Sequence, residues 1–265
     1  MKDFAKINKA LWNKKTALHL QSDFYDQAGF MAGKSSLKDI ELALLGDVQG
    51  KKILHLQCHF GQDTLSLARM GATVTGVDLS DAAIKVAEKT ARQLDLSDRA
   101  KFICCDIHDL DQHLEEQFDI VFTSYGTIAW FPTLDRWGEL LYQYLRPDGQ
   151  FIFVEFHPMV WMLDDDFTKI TYPYFNTKTF HEAYSTSYTD GEGHEPTMGV
   201  SWNHPLSEVF QTLLKSRLKI THFLEYDYSP YDCFPNTIPV KKGFQLKNFA
   251  RKLPMVYSII AEKDR

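Results

Sequence analysis

The sequence predicts an α/β protein built on a mostly parallel sheet. Between residues 51 and 157, short apolar runs alternate with amphipathic segments. Strands that alternate with helices of this kind form βαβ units, whose connections favour parallel pairing. The 265 residues are 44% hydrophobic and 24% charged, a composition typical of a chain that buries a full core.

The first half of this region contains two strands and two helices. Residues 52–57 form an apolar run that predicts a strand, residues 61–70 predict a helix, and residues 73–78 predict a second strand. Ser80 is suited to cap the helix that follows. The apolar face of that helix repeats every three or four residues, through Ala83, Ile84, Ala87, Ala91 and Leu94.

The second half repeats the pattern. Strands are predicted at 101–105 and 118–124, a helix at 134–145, and a strand at 150–156 after the turn Pro147-Asp148-Gly149. Further along, a helix at 205–216, a strand at 218–226 and a last strand at 255–261 complete the sheet. The predicted organisation is therefore an N-terminal helical cap (1–50), an α/β core (51–157), an inserted segment (158–205) and a C-terminal completion of the core (206–265).

The inserted segment 158–205 has a different composition. It contains nine aromatic residues, and seven acidic residues against two lysines. A long stretch without helical periodicity inside a compact domain is typical of a lid or a binding loop. We therefore expect residues 158–205, together with the cap, to cover a substrate site, and we call them the lid.

Charge and targeting signals exclude several classes of protein. The net charge of −6 gives no reason to expect nucleic-acid or membrane partners. The N-terminal residues lack the apolar region of a signal peptide, and no apolar run is long enough to span a membrane. The four cysteines show no CxxC spacing. These features predict a cytoplasmic protein, and they carry no prediction of its oligomeric state.

The segments 53–69 and 74–80 carry the strongest functional pattern, a strand, a turn and a helix followed by a second strand. Ligands of the nucleotide type bind beyond the carboxyl ends of such strands. Asp78 ends the second strand 17 residues after Gly61, close to the spacing at which an acid accepts hydrogen bonds from ribose hydroxyls. The alternative is a strand end that only caps the next helix.

Five motifs together resemble a known family: WNK at 12–14, HLQCHFGQDTLSLAR at 55–69, GVDLS at 76–80, FTSYG at 122–126 and VEFHP at 154–158. They are similar to the class I S-adenosylmethionine-dependent methyltransferases, in particular to a bacterial small-molecule subgroup with HLQCHFG. The resemblance implies a Rossmann-like fold with a seven-stranded, mostly parallel sheet whose final strand is antiparallel. It also implies methyl transfer from S-adenosylmethionine to an unidentified small-molecule acceptor.

The resemblance also implies roles for single residues. Asp78 matches the acid that binds the ribose hydroxyls, and Leu79 beside it packs against adenine. Asp106 matches the acid that receives the adenine amino group, with Ile107 next to it. The remaining residues implied at the cofactor are Trp12 and Asn13 in a closing N-terminal segment, and Ser124 and Tyr125 in the methyl-transfer channel.

The turn after the first strand departs from the family pattern. Gln57 and His59 stand where the family has its first two glycines, His55 replaces the usual acid, and only Gly61 remains. Dinucleotide cofactors need glycine for close backbone approach to pyrophosphate. S-adenosylmethionine has no phosphate, and Gln57 and His59 are able to hydrogen-bond its amino-acid end. The exchange therefore argues against an NAD-dependent oxidoreductase more than against a methyltransferase.

Catalytic groups are less clearly indicated. His157 follows the strand at 150–156 and is either a general base or a histidine hydrogen-bonded in the hinge of the lid. Tyr125 either orients the substrate or forms part of the wall of the cofactor site. His181, His194 and His204 match no metal-binding spacing, so no metal site is predicted. A non-catalytic S-adenosylmethionine-binding protein and, less favoured, an NAD-dependent oxidoreductase remain as alternatives.

Overall fold

A computed structural model describes residues 3–176, 178–189 and 195–264. In these ranges the helices are α1 (Asp3–His19), α2 (Gln27–Met31), α3 (Asp39–Leu45), α4 (Gln62–Arg69), α5 (Asp81–Gln93), α6 (Asp135–Tyr144) and α7 (Leu206–Lys215). The strands are β1 (Lys52–Leu56), β2 (Thr73–Asp78), β3 (Ala100–Cys104), β4 (Phe118–Ser124), β5 (Leu145–Phe156), β6 (Phe180–Tyr184), β7 (Thr197–Ser201), β8 (Leu218–Tyr226), β9 (Thr237–Val240), β10 (Gly243–Leu246) and β11 (Val256–Lys263). None of the described helices has the length and hydrophobicity of a membrane span.

Seven of these strands form one sheet in the order β3-β2-β1-β4-β5-β11-β8. The pairs from β3 to β5 are parallel, whereas β11 is antiparallel to both of its neighbours. The predicted seven-stranded, mostly parallel sheet with an antiparallel final strand is confirmed. The order reverses between β1 and β4, and ligands bind at such a switch point in open α/β sheets.

Helices cover both faces of the sheet, and this explains why its central strands are apolar throughout. Every residue of β4 except the last is buried, as are four of the five residues of β1, a pattern typical of parallel strands covered on both sides. The hydroxyl of Ser80 accepts a hydrogen bond from the backbone N–H of Ala83 at 3.1 Å. Ala83, Ile84, Ala87 and Ala91 are buried, so the capped amphipathic helix predicted here is confirmed as α5.

Three features differ from the predicted elements. Strand β5 begins at Leu145, because that residue pairs with Phe118 ahead of a register shift; the turn at 147–149 therefore lies within the strand. The lid contains an antiparallel hairpin of β6 and β7, although its sequence predicted irregular structure. A second insertion, residues 227–255, contains the hairpin of β9 and β10. We call it the C-terminal insertion.

The cap and the lid are joined across the carboxyl edge of the sheet. The amide of Asn8 on α1 donates to the carbonyl of Val200 and accepts from its N–H, both at 2.8 Å. Strands β1, β2, β3 and β4 all end at this edge. The turns that follow them therefore face a space enclosed by the cap, the lid and the C-terminal insertion.

Candidate functional site

The space at this edge is a cavity of about 1180 Å³. Its walls come from α1 and the segment after it, from the turns after β1 to β4, from the lid and from the C-terminal insertion. Ten of the eleven residues predicted at the cofactor or in the methyl-transfer channel line this one cavity: Trp12, Gln57, His59, Gly61, Asp78, Leu79, Asp106, Ile107, Ser124 and Tyr125. Asn13 is not among the lining residues; its side chain is hydrogen-bonded to Asp81 and Ser80 at the start of α5. His157 is not among the lining residues.

The turn after β1 keeps a glycine-type backbone with larger residues. Gln57 has φ 55°, His59 has φ 50° and Gly61 has φ 81°, all in the left-handed region that favours glycine. A Cβ on Gly61 would lie 2.8 Å from Cε1 of Phe102 and 2.9 Å from Cβ of Ala87, which explains why this position remains glycine. The backbone at Gln57 and His59 therefore follows the path of a glycine-rich turn, and their side chains occupy space that glycines leave open.

These two side chains present unpaired polar atoms inside the protein. Nε2 of Gln57 donates to the carbonyl of Thr127 at 2.8 Å. Oε1 of Gln57 and Nδ1 of His59 are buried and have no hydrogen-bond partner among the described residues. Buried polar atoms are nearly always hydrogen-bonded in native proteins, so two unpaired atoms beside a cavity indicate a ligand position.

Asp78 lies at the end of β2, beside that turn. One carboxylate oxygen accepts from the backbone N–H of His59 and the other from that of Ser80, both at 2.8 Å. Burial raises the pKa of Asp78 to about 6, and these N–H groups oppose the rise. The carboxylate is thus held rigidly at the cavity wall, and its remaining lone pairs can accept from hydroxyl groups.

Asp106 occupies the equivalent place after β3. Its residue is 9% exposed, and Oδ1 accepts from the backbone N–H of His108 at 3.0 Å and lies 2.9 Å from the Nδ1 of that histidine. Ile107 beside it is buried. Two carboxylates and two apolar side chains, Leu79 and Ile107, therefore line the cavity at neighbouring strand ends.

The turn after β4 is organised by an acid that does not reach the cavity. Glu155 is buried, and its carboxylate accepts from the backbone N–H groups of Gly126 and Thr127 and from the hydroxyl of Thr127. Tyr125, with φ 47°, projects its ring into the cavity while its hydroxyl donates to Glu41 at 2.8 Å. The hydroxyl of Tyr125 is thus held by α3, and its ring forms part of the wall.

His157 lies behind the cavity. Its Nδ1 accepts from the backbone N–H of Met159 at 3.1 Å, and its Nε2 lies 2.9 Å from a carboxylate oxygen of Glu225 on β8. The residue is 3% exposed. Both ring nitrogens are occupied at the start of the lid, and this geometry favours the hinge role that the sequence left open.

Several lining residues were not predicted from the sequence. Lys15 on α1 and Tyr231 and Phe234 in the C-terminal insertion line the cavity. His19 on α1 does not line it, but its Nδ1 lies 2.8 Å from Nε2 of His59 in the turn after β1. The ring of Tyr231 packs 5.1 Å from that of Tyr125, and Phe234 packs 5.0 Å from Phe156. No local pattern marks these residues, because their positions depend on contacts between distant segments.

Possible metal ligands are not gathered at the site. Among the described residues, no three His, Cys, Asp or Glu side chains are grouped as ligands of one metal ion would be. Nε2 of His204 lies 2.9 Å from the carbonyl of Phe131. His194 falls outside the described residues, as do Asp190 and Glu192, two of the seven acidic residues of the lid.

Comparison with known proteins identifies the family. The sequence profile of the family described as "Methyltransferase domain" matches residues 47–196, more than half of the chain. The chain belongs to this methyltransferase family. The matched range runs from the segment before β1 through the turns after β1 to β4 and into the lid, so it contains most of the cavity-lining residues.

Curated relatives and solved structures agree with this assignment. The chain is 34% identical over 106 residues to malonyl-[acyl-carrier protein] O-methyltransferase of Priestia megaterium, covering 39% of this chain and 36% of the relative. It is 28% identical over 151 residues to the mitochondrial ubiquinone biosynthesis O-methyltransferase of Bos taurus, covering 51% of this chain and 40% of the relative. The chain thus spans less than half the length of either protein.

The likeness to solved structures extends over more of the chain. A crystal structure of an S-adenosylmethionine-dependent methyltransferase from Mesorhizobium loti matches with a TM-score of 0.60 at 20% identity, covering 88% of this methyltransferase and 100% of that chain. At this level of identity the match shows a shared fold. The predicted Rossmann-like class I methyltransferase fold is confirmed.

Proposed function

We propose that this methyltransferase transfers a methyl group from S-adenosylmethionine to a small-molecule acceptor. The observation that carries the proposal is the convergence of Asp78 and Asp106 on one cavity, at the ends of β2 and β3. In this proposal Asp78 accepts from the ribose hydroxyls and Asp106 from the adenine amino group. Leu79 and Ile107 pack against the adenine ring, and Trp12 and Ser124 line the rest of the cofactor site.

The chemistry of the turn after β1 fits this cofactor. Gln57 and His59 carry side chains where a pyrophosphate needs bare backbone. Their unpaired Oε1 and Nδ1 atoms suit the charged amino-acid end of S-adenosylmethionine instead. When bound, the cofactor supplies an electrophilic methyl group on a positively charged sulfur. The same turn disfavours an NAD-dependent oxidoreductase.

The residues around the cavity are suited to align the acceptor and to exclude water, the two main requirements of an in-line methyl transfer. The acceptor side is lined by the aromatic rings of Tyr125, Phe156, Trp161, Tyr231 and Phe234. Because the hydroxyl of Tyr125 donates to Glu41, we propose that its ring forms part of the cavity wall and orients the acceptor. We assign His157 to the hinge of the lid, since it lies outside the cavity.

The class of acceptor follows from the cavity and from the relatives. A cavity lined by aromatic rings suits a small organic molecule. Among its described lining residues the acids outnumber the lysines, so they do not form the basic face that a phosphate backbone needs. The relatives from Priestia megaterium and Bos taurus are named O-methyltransferases, so an oxygen acceptor is the first to test. All four cysteines are free thiols, in keeping with a reducing, cytoplasmic compartment.

The test is a turnover assay that measures S-adenosylhomocysteine formed from S-adenosylmethionine. A catechol and a medium-chain acyl carboxylate serve as two types of oxygen acceptor. A wider panel of oxygen acceptors is built on these two types. We expect at least one member of the panel to give acceptor-dependent S-adenosylhomocysteine, and we expect Asp78→Asn to lose that product. Binding of S-adenosylmethionine without transfer to any member of the panel would instead support the non-catalytic binding protein.

A further inference from the structure

Lys15 on α1 places a buried positive charge at the wall of the cavity. The residue is 5% exposed and lines the cavity beside the turn after β1. Its ammonium lies over three aromatic rings, at 5.2 Å from the centroid of Trp12, 4.7 Å from that of Tyr184 and 5.7 Å from that of Tyr188. Within the described part of the chain, Nζ has no hydrogen-bond acceptor and no carboxylate within salt-bridge distance, and Glu182 on β6 is the acid that interacts with it at longer range.

A buried ammonium without a directly paired anion is an unusual arrangement. Burying a charge costs free energy unless the charge is paired and its hydrogens are donated. Cation–π contacts offset part of that cost, but ring faces leave the three N–H groups without oxygen acceptors. Lys15 is therefore prepared to receive an anion that enters the cavity.

Two other residues that line the same cavity carry unpaired polar atoms. Oε1 of Gln57 is a buried acceptor without a partner. Nδ1 of His59 is also unpaired, and Nε2 of that ring lies 2.8 Å from Nδ1 of His19, whose Nε2 lies 2.7 Å from the hydroxyl of Ser187. Depending on the tautomers of the two histidines in this hydrogen-bonded series, Nδ1 of His59 is either a donor or an acceptor.

We propose that Lys15, Gln57 and His59 together bind the zwitterionic amino-acid end of the cofactor. Lys15 pairs with the carboxylate, and Oε1 of Gln57 accepts from the ammonium group. Nδ1 of His59 contacts whichever of the two its tautomer suits. The inference rests on the proposed function and deepens it, because it replaces recognition by a glycine-rich backbone with recognition by three side chains.

The proposal has a consequence for ligand selection. A thioether nucleoside without the amino-acid end gains nothing from Lys15, whereas S-adenosylhomocysteine gains a charge-assisted pair. 5′-Methylthioadenosine is such a truncated ligand, with the same adenine, ribose and sulfur. Comparing the two ligands on one variant therefore isolates the contacts to the amino-acid end.

The experiment is a calorimetric titration of both ligands into wild type, Lys15→Met and Lys15→Arg. We expect Lys15→Met to weaken S-adenosylhomocysteine about tenfold to a hundredfold and to change 5′-methylthioadenosine by less than about twofold. Lys15→Arg keeps the charge and should recover most of the affinity for S-adenosylhomocysteine. Lys6→Met is the control, because it removes the same charge from an exposed position of α1.

Each alternative outcome is distinct. Equal loss for both ligands in Lys15→Met would mean that the lysine only supports the lid, and the proposal would be overturned. No loss for either ligand would also overturn it and would leave an anionic acceptor as the partner of Lys15. If wild type bound neither ligand while remaining folded in thermal unfolding, the proposed function itself would fail, irrespective of Lys15.

Discussion

Glu41 shows how one residue of the cap controls a residue of the cavity wall. It is fully buried on α3, and its carboxylate accepts from the hydroxyl of Tyr125 at 2.8 Å and from the backbone N–H of Lys38 at 3.3 Å. Burial, with Asp63 nearby, raises the pKa of Glu41 to about 7. The folded protein therefore holds a proton on Glu41 at a pH at which the unfolded chain has released it.

This difference makes stability depend on pH. Between pH 4.5 and 7 the folded state binds more protons at Glu41 than the unfolded state does, so this residue's contribution to the free energy of unfolding falls as pH rises through that window. Glu41→Gln removes the titration. We expect the stability of Glu41→Gln relative to wild type to increase from pH 5 to pH 7, by on the order of 2 kcal/mol.

Urea unfolding at a series of pH values measures this change. Glu88→Gln, at an exposed position of α5, is the control and should keep the pH profile of wild type. Parallel stability profiles for Glu41→Gln and wild type would show that the carboxyl group of Glu41 is not protonated preferentially in the folded state.

Among the elements, the turn after β1 has the backbone conformation that is hardest to predict from the sequence. Strand β1 and helix α5 were predictable from the local sequence, because the residues of the apolar run and of the three-to-four repeat are the ones that are buried. The turn keeps left-handed backbone angles at Gln57 and His59 without glycine. Its conformation is therefore imposed by packing against neighbouring strands and by the Asp78 carboxylate, not by local preference.

Gly61 is the position in this turn where glycine is required. In Gly61→Ala, the new methyl group would strain the φ of 81° and press against Phe102 and Ala87. We expect a loss of about 2–4 kcal/mol in the free energy of unfolding. Gly50→Ala is a matched control, since φ there is 74° and no atom lies within 4 Å of the added Cβ.

Chemical denaturation compares the two glycine variants. The control should lose only about 1 kcal/mol, from the left-handed backbone alone. If Gly61→Ala were no less stable than Gly50→Ala, the close packing of this turn against Phe102 of β3 and Ala87 of α5 would be contradicted.

At the scale of the whole molecule, the site is assembled from segments that are far apart in sequence. The strand-end residues Asp78 and Asp106 were predictable, because parallel strands bring their carboxyl ends to one edge. Lys15 was not, since its place depends on how α1 docks. The lid hairpin was missed for a related reason: Val200 is bonded to Asn8, 192 residues away, and no local pattern encodes such a pair.

The bond between Asn8 and Val200 should hold the lid on the cap. Asn8→Ala removes two buried hydrogen bonds and leaves the backbone of Val200 without these partners, at an expected local cost of about 1–3 kcal/mol. Hydrogen exchange should become faster in β6 and β7 and stay unchanged in β1. Lys6→Ala, on the exposed side of the same helix, should leave both regions as in wild type, and uniform acceleration across the sheet after Asn8→Ala would contradict a local role.

The central claim is that the cavity at the carboxyl edge binds S-adenosylmethionine through Asp78. Its most direct test is calorimetric titration of S-adenosylmethionine, S-adenosylhomocysteine and NAD into wild type, Asp78→Asn and the exposed control Asp98→Asn. We predict that wild type and the control bind the first two ligands and not NAD, and that Asp78→Asn loses on the order of 1–3 kcal/mol of binding free energy. Binding of NAD, or unchanged affinity for S-adenosylmethionine in Asp78→Asn, would contradict the account.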